Sequence, residues 1–323
     1  MSDDLSLQKN RVEELIAVNR KEDALQLLYD MIVTEARAGN FDQAEALRDY
    51  LMEVDEMALN LIIKAAEAIE AEKTAAIDDG HLERWTGLYS KLTPEETNRL
   101  YHSLEEIECR AEEIVCRQGK PQTHLYFIES GSVDLSFHGP EQETPLARIE
   151  AGELFGHDTF FLISVNTLTG TAREDAVLKG LPRARLAGLE TASPGLVSKL
   201  QDYCLRLKQP VSWLKAASLD RRRSQRISGH GKIEIQLVDK ERKPVGNVFR
   251  ADLIDCSRGG ISFYVKLPRQ ETAEKLLHRR FRVRSREEVA PMEGKIDRIG
   301  VVRAVISDMD NDYSVHMRFE NPD

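Results

Sequence analysis

The 323-residue sequence predicts a multidomain α+β protein with three modules in a row. The first, residues 1–78, is expected to be a helical bundle. Residues 5–77 contain no proline, and their apolar residues recur every three or four positions. The second module, residues 79–192, and the third, residues 219–323, are expected to be antiparallel rolls or barrels, because short strand-like runs there are broken by glycine. A helix over residues 193–218 connects the two.

The composition is typical of a soluble globular protein, with 41% hydrophobic and 31% charged residues. No apolar run approaches the ~20 residues that cross a bilayer. The start, MSDDLSLQKNR, is polar and acidic, unlike a secretory signal. The four cysteines form no CxxC pair and have no metal-spaced histidines nearby, so no metal site is expected. A reduced cytoplasmic protein without membrane contact is the prediction.

The net charge of −10 is unevenly distributed along the chain. From Arg221 onward, 22 lysines and arginines face 16 acidic residues, a balance of +6, whereas the preceding residues carry −16. This asymmetry indicates separate modules, of which the last tolerates or seeks anions. A solvated basic face is the alternative, and charge alone does not decide between them.

The first module shows four apolar stripes with short breaks, which predicts antiparallel helices. The stretch AGNFDQAEAL, residues 38–47, resembles the helix-pair repeat of tetratricopeptide proteins. A plain helical bundle is favoured over a regular repeat array. In either arrangement the helices offer a docking surface for a protein partner that the sequence does not identify.

The second module opens with a helix start followed by strands. Thr93 is expected to cap a helix, with Pro94 at its first position and Glu96 completing a capping box. The strand-like runs that follow are EEIVCRQG, HLYFIESGSVDLSF and TPLARIEAGELFGHDTF. This segment resembles the cyclic nucleotide-binding domain, through Gly119, through LYFIESGSVDL and through IEAGELFGHDTFFL. The resemblance implies a β-roll.

The second module lacks the two ligand-binding residue types that the resemblance implies. The resemblance implies a ribose-binding glutamate directly after Phe-Gly, where this chain has His157, expected on the surface. It also implies an arginine for the cyclic phosphate, yet no cation follows before Arg173. A phosphate buried without a charge partner is costly. The roll is therefore expected to have kept its fold and lost its ligand, and a cyclic mononucleotide sensor over residues 120–175 is the disfavoured alternative.

The connecting helix carries an apolar seam. Leu196, Leu200, Tyr203 and Leu207 lie on one helical face, and Pro210 is expected to kink or restart the helix. This seam is a candidate contact of a homodimer. Packing onto its own chain is an equally weighted alternative.

Two motifs in the third module indicate its family. RRRSQRI contains Arg-x-x-x-Arg as Arg222 and Arg226, and DCSRGG contains Asp-x-Ser-x-x-Gly as Asp255, Ser257 and Gly260. In this order and spacing, and followed by GVVRAVI and YSVHMRF, they resemble the PilZ domain, the bacterial receptor for cyclic di-GMP. The resemblance implies a small C-terminal β-barrel with these residues at its ligand site.

The chemistry of these residues suits that ligand. Arginine grips phosphate oxygens bidentately, pairs with guanine O6 and N7 and stacks on purines. Asp255 can accept from guanine N–H groups, and Ser257 can donate to phosphate or guanine. Gly260 allows a turn or a close approach to the ligand. Arg221 adjoins the pair at a position that the resemblance links to binding one or two ligand molecules. A hairpin corner alone would explain DCSRGG but not the upstream arginines.

A non-enzymatic cyclic di-GMP effector is therefore the expected function. The arginine segment folds onto the barrel with ligand and so changes interdomain or partner contacts. A scaffold protein with degenerate sites, acting through its N-terminal helices, is the alternative. No P-loop, metal cluster or catalytic triad is evident, and without a basic recognition helix direct DNA binding is disfavoured.

Overall fold

The computed structural model divides into two compact units. The first contains residues 1–103 with 192–196, and the second contains residues 104–191 with 197–323. None of the helices in the described part of the chain is long and apolar enough to cross a membrane. The structure describes residues 2–139, 142–217, 226–267, 270–288, 294–307 and 312–320.

The first unit is built from amphipathic helices, as predicted. Helix α2 packs against α1, α3 and α4, and buried leucines and isoleucines such as Leu28, Ile32 and Leu51 form its core. The tetratricopeptide resemblance of residues 38–47 stays a prediction. The helices are α1 (Ser2–Ala17), α2 (Lys21–Arg37), α3 (Phe41–Val54), α4 (Leu59–Ala75), α5 (Asp79–Arg84), α6 (Thr86–Tyr89) and α7 (Pro94–Tyr101).

Helix α7 begins with the capping box that the sequence predicts. The Glu96 backbone N–H donates to Oγ1 of Thr93 at 3.2 Å, and the Thr93 N–H donates to a carboxylate oxygen of Glu96 at 2.8 Å. Pro94 occupies the first turn, where its missing N–H needs no partner. These contacts satisfy backbone donors that a helix start leaves open.

The second unit begins with the predicted β-roll, in which two four-stranded sheets run β1-β9-β3-β6 and β2-β8-β4-β5. Gly131 turns the chain between β3 and β4 at φ +76°, where a Cβ would lie 2.7 Å from the Asp175 carbonyl oxygen. The strands are β1 (Glu105–Cys109), β2 (Ile114–Cys116), β3 (His124–Ser130), β4 (Ser132–His138), β5 (Glu143–Glu150), β6 (Leu154–Phe155), β7 (Ile163–Ser164), β8 (Thr169–Ala172) and β9 (Ala176–Pro182).

Helices follow the roll, as predicted, and restart at Pro210, which stands in the first turn of its helix. Leu214 is buried in the roll core and Trp213 packs beside it. Leu200, from the predicted seam, is 1% exposed within its own chain, and the homodimer stays a prediction. The segment comprises a 3₁₀ turn (Arg183–Arg185), α8 (Leu186–Ala192), α9 (Leu196–Leu205) and α10 (Pro210–Ala216).

The C-terminal strands close into a six-stranded antiparallel barrel in the order β11-β14-β15-β16-β13-β12, because β12 pairs with both β13 and β11. Alternate residues of β16 are buried in the barrel core, so the residues between them face outward. The elements are β10 (Ile227–Ser228), β11 (Lys232–Val238), β12 (Pro244–Ser257), β13 (Gly260–Lys266), α11 (Gln270–Glu274), β14 (Arg280–Glu288), β15 (Lys295–Ser307) and β16 (Asp312–Phe319).

Strand β7 lies within the roll segment of the sequence but pairs with the barrel. Ile163 stands opposite Val305 and Ser164 opposite Ala304 on β15. Ile163 is 5% exposed and belongs to the hydrophobic core of the barrel. The roll and the barrel are therefore joined by a shared sheet and a shared core, as well as by the connecting helices.

Candidate functional site

The two sequence motifs of the third module meet on the barrel. Nη1 of Arg226, just before β10, lies 3.3 Å from Oδ2 of Asp255, near the end of β12. Strand β10 pairs with β12 in the register that sets Ser228 opposite Asp255, and this pairing brings Arg226 to the carboxylate. The arginine motif and the Asp-Ser-Gly motif thus share one site.

Two further side chains extend this contact into a hydrogen-bond network. Nη1 of Arg226 donates to Oγ of Ser262 at 3.1 Å, and Ser262 Oγ lies 2.8 Å from Nδ1 of His316. A hydroxyl that accepts from the guanidinium has its own proton to donate to Nδ1. The Nε2 proton of His316 then faces Ser314 Oγ at 3.3 Å. We call Arg226, Asp255, Ser262 and His316 the barrel cluster.

The barrel cluster contains an unmatched acceptor. Oδ1 of Asp255 is buried and accepts no hydrogen bond from the residues that the structure describes. A buried carboxylate oxygen without a donor costs free energy, so it marks a place where an incoming N–H group would be stabilised. The Asp255 side chain as a whole is 20% exposed, which leaves an approach from solvent.

Ser257 and Gly260 form the hairpin corner between β12 and β13, next to the barrel cluster. Oγ of Ser257 donates to the Gly260 carbonyl at 3.3 Å, and Ser257 is 5% exposed. A Cβ on Gly260 would lie 2.3 Å from the Met317 carbonyl oxygen, so the close approach made possible by this glycine is to β16. The strand–turn–strand prediction for this stretch is confirmed.

Two of the predicted site residues, Arg221 and Arg222, lie outside the described residues. Of the predicted arginines, Arg226 alone is placed by the part of the chain that the structure covers. Its guanidinium is 30% exposed, so both phosphate and base edges can reach it from solvent. The participation of Arg221 and Arg222 stays a prediction.

Sequence reasoning missed Ser262 and His316. Both are polar residues within otherwise apolar strands, in GISFYVK and DYSVHMRF. Alternation of buried and outward residues indicates that His316 faces outward, but only strand register shows that Ser262 stands opposite it and opposite Asp255. Register between distant strands is not readable from one sequence.

The barrel cluster lies on a row of residues that crosses the sheet to the roll. Each member of the row stands opposite the next on the neighbouring strand. The row consists of Ser228, Asp255, Ser262, His316, Ala304 and Ser164. Its last member belongs to β7, directly after the Phe-Gly stretch of the roll.

The roll interior, by contrast, is nearly filled. The cavity lined by Phe155 and Gly156 measures about 20 Å³ and is closed on one side by Pro210 of α10. Ligand sites usually enclose roughly 300–1,000 Å³, whereas about 10–15 Å³ holds one water molecule. In this conformation the cavity is too small for a nucleotide.

The expectation that His157 lies on the surface is wrong. It is 6% exposed, and neither ring nitrogen makes a hydrogen bond of good geometry to the described residues. Burial lowers its pKa, against the opposing effects of Asp158 and of the Lys208 backbone. The connecting segment around Lys208 therefore packs near this ring, which explains why a position expected to be open is buried.

Arg173, the first cation after the Phe-Gly stretch, points away from the roll cavity. Its guanidinium lies 3.2 Å from Asp134, and the same carboxylate pairs with Arg148 at 2.9 Å. The two arginines lower the pKa of Asp134. Arg173 is not among the residues that line the cavity, and the absence of a phosphate partner stays a prediction.

The described residues give little support for metal binding or for a reactive thiol. Within them, three or more His, Cys, Asp or Glu side chains nowhere gather in a way that could hold a metal ion. The four cysteines are free thiols. Burial raises the pKa of Cys116 and Cys204 to about 12 and that of Cys256 to about 11, so these thiols are poor nucleophiles.

Comparison with known proteins concerns the roll. Residues 106–191 match the family model described as the cyclic nucleotide-binding domain, which confirms the resemblance of the second module. Over 125 residues, 38% of this chain, the sequence is 30% identical to a putative potassium channel protein of Rhodopseudomonas palustris. The matched stretch spans 28% of that protein's length.

Solved structures similar to this chain include the N-terminal domain of a transcriptional regulator from Streptomyces coelicolor A3(2). It is 25% identical, with 43% of this chain and 96% of that chain covered and a TM-score of 0.35. The catabolite activator protein of Thermus thermophilus is 26% identical, with 41% and 59% covered and a TM-score of 0.34. The C-linker and cyclic nucleotide-binding homology domain of zELK channels is 19% identical, with 42% and 67% covered and a TM-score of 0.37.

Proposed function

We propose that this chain is a non-enzymatic sensor whose C-terminal barrel, a PilZ-like domain, binds cyclic di-GMP at the barrel cluster. The family match of residues 106–191 supports a nucleotide-sensing regulator. We add cyclic di-GMP as the ligand and the barrel cluster as its binding site. The observation that carries it is the 3.3 Å contact between Arg226 and Asp255, because it unites two motifs that the PilZ resemblance assigns to one ligand site.

The geometry of the barrel cluster supports an exchange of partners on binding. A cyclic dinucleotide offers phosphate oxygens and guanine O6 and N7 to Arg226, which is only loosely held by Asp255 at 3.3 Å. Guanine N1–H and N2–H groups then have a carboxylate acceptor in Asp255, whose Oδ1 accepts no bond from described residues. Both partners gain stronger hydrogen bonds than they make with each other.

Ligand binding alters the neighbouring modules only if one conformation binds more tightly. The segment with Arg221, Arg222 and Arg226 lies between the connecting helices and β10, so drawing it onto the barrel acts on those helices. The cross-strand row offers a second route, from His316 through Ala304 to Ser164. In this proposal the roll receives the signal and binds no nucleotide itself, consistent with its cavity of about 20 Å³.

Isothermal titration calorimetry of the full chain with cyclic di-GMP tests the proposal. We expect saturable binding by the unaltered chain, and an affinity about ten- to a hundredfold lower for Arg226→Ala, since a bidentate arginine contact contributes roughly 1–3 kcal/mol. Arg250→Ala is the matched control, an exposed cation of the same barrel outside the cluster, and should bind as the unaltered chain does. Unchanged affinity of Arg226→Ala would overturn the assignment.

A docking function through the N-terminal helices is the second candidate. Three large apolar side chains near the start of α4 are exposed, namely Met57 (77%), Leu59 (58%) and Ile63 (55%). Contiguous exposed apolar groups mark protein interaction sites. This function predicts no thermal shift with cyclic di-GMP, and a copurifying protein that Ile63→Asp releases while an Arg226→Ala variant retains it.

A further inference from the structure

Three cationic side chains and a histidine gather where the roll joins the barrel, on the outward face of β16 that also carries His316. They are Lys120 from the roll, His278 after α11, Arg303 on β15 and Arg318 on β16, and we call them the junction cluster. Strand pairing, backbone hydrogen bonds and mutual electrostatic effects place them together.

Arg303 is the central member of the junction cluster. The register of β15 against β16 shifts between Val302 and Ala304, so Arg303 stands in a β-bulge, a feature that redirects a side chain. Ala304 pairs directly with Ser164 of β7, and the Ser164 hydroxyl lies 3.5 Å from the Arg303 carbonyl oxygen. The bulge is thus at the edge where β7 enters the barrel.

His278 is fixed beside the same bulge. Its backbone N–H donates to the Val302 carbonyl at 3.1 Å, and the Val302 N–H donates to the Arg279 carbonyl at 3.0 Å. The backbone of His278 has φ +64°, in the left-handed region that residues other than glycine seldom adopt. Strained backbone of this kind is concentrated at functional sites.

Lys120 approaches from the roll side. Its carbonyl accepts the Asn166 N–H at 2.8 Å, and Pro121 pairs with Val165. Since Val165 directly follows β7, the loop with Lys120 lies beside the strand that enters the barrel. The roll therefore contributes a cation to a site whose other members belong to the barrel.

Repulsion within the cluster supports this placement. Burial and then Arg318 lower the pKa of Arg303, and burial followed by Arg303 and Lys120 lowers the pKa of His278. No carboxylate among the described residues contributes to either effect. Glu274, an acidic side chain of α11, acts on Arg183. Within the described residues, none of the four cluster members makes an ion pair.

A half-buried guanidinium surrounded by like charges is unfavourable unless an anion joins it. We propose that the junction cluster binds the phosphate groups of a small molecule, a diphosphate or a nucleoside diphosphate. Arg303 supplies a bidentate fork for phosphate oxygens, and Lys120 and His278 supply further donors. The junction cluster shares no residue with the barrel cluster, although Arg318 and His316 lie two positions apart on the outward face of β16, and its proposed ligand does not depend on the cyclic di-GMP function.

Calorimetric titration of the full chain with sodium pyrophosphate at fixed ionic strength tests the site. We expect saturable binding, weakened by added salt. Arg303→Gln should lower the affinity at least about tenfold, because hydrogen bonds to charged groups are the stronger kind. Lys120→Gln, which changes an exposed side chain, should lower the affinity severalfold.

Two control variants distinguish the loss of the Arg303 charge from a general effect of substitution on folding. Arg303→Lys keeps the cation and should retain pyrophosphate binding better than Arg303→Gln. Arg250→Gln removes an exposed cation elsewhere on the barrel and should bind pyrophosphate as the unaltered chain does. Affinity for cyclic di-GMP should be the same with and without Arg303→Gln, so failure of one proposal leaves the other intact.

The outcomes are distinct. Tighter binding of ADP than of pyrophosphate identifies a nucleotide as the ligand, and equal affinities identify the phosphate groups alone. Absence of saturable binding for both compounds, or equal affinities of Arg303→Gln, Lys120→Gln and the unaltered chain, would overturn the proposal.

Discussion

Nη1 of Arg226 lies 3.3 Å from Oδ2 of Asp255, although 29 residues separate them in the chain. Both side chains are partly exposed, at 30% and 20%. An ion pair of this length and exposure contributes roughly 0–1 kcal/mol to stability. Losing it to a ligand that offers bidentate phosphate therefore costs the protein little, and the contact can hold the site in place while leaving it open to exchange.

Ser262 should matter more for stability than its small size suggests. It is fully buried and both accepts from Arg226 and contacts His316, so Ser262→Ala removes one hydrogen bond from each of these two side chains. We expect a loss of about 1–3 kcal/mol in the free energy of unfolding, measured by urea denaturation. Ser314→Ala, at the end of the same network, should stay within about 0.5 kcal/mol. Equal effects of the two substitutions would show that the network does not stabilise the barrel.

Gly260 is constrained by packing between strands. A methyl group there would lie 2.3 Å from the Met317 carbonyl oxygen, so Gly260→Ala must push β13 away from β16. We expect destabilisation of about 1–3 kcal/mol by thermal or urea unfolding. Gly188→Ala is the matched control, because Gly188 lies in α8 with open space around it. That substitution should stabilise the helix by up to about 1 kcal/mol, opposite in sign.

Ile163 should couple the unfolding of the roll to that of the barrel. It belongs to β7 by sequence and to the barrel core by packing. Ile163→Ala should cost about 2–5 kcal/mol in the free energy of unfolding and broaden or split the urea transition of the second unit. Ile114→Ala, at a 37% exposed position of β2, should cost under about 1 kcal/mol and leave the transition shape unchanged. A single sharp transition in Ile163→Ala would argue against this coupling.

His157 should make the protein less stable in acid. Burial lowers its folded-state pKa below the ordinary value of 6.5, so the unfolded chain binds more protons as the pH falls. Its contribution is complete above about pH 6.5 and is lost as the pH decreases through and below that value. His157→Gln should show a smaller drop in melting temperature between pH 7.5 and pH 5.5 than the unaltered chain. Parallel pH profiles for the two proteins would contradict this assignment.

The sequence predicts much of the local structure, because local signals suffice there. The capping box at Thr93 and Glu96 and the restart at Pro210 follow from short-range chemistry. The hairpin at Ser257 and Gly260 follows from turn residues between alternating strands. Each of these depends on residues only a few positions apart.

The contacts that escaped prediction all depend on distant register. The sequence places Ile163 within the roll, and nothing near it in the sequence indicates that it pairs with Val305. Ser262 and His316 read as isolated polar residues until the pairing of β13 with β16 sets them opposite each other. His157 reads as exposed because the segment that covers it, near Lys208, lies some 50 residues downstream.

The placement of β7 also orders events during synthesis. Ser164 leaves the ribosome 139 residues before Arg303, which lies on its partner strand β15. At roughly 5–20 residues per second, this delay amounts to about 7–28 s. Throughout that interval Ile163 and the backbone edge of β7 lack their partners in the barrel. A chaperone or a neighbouring chain can therefore bind Ile163 before the barrel has formed.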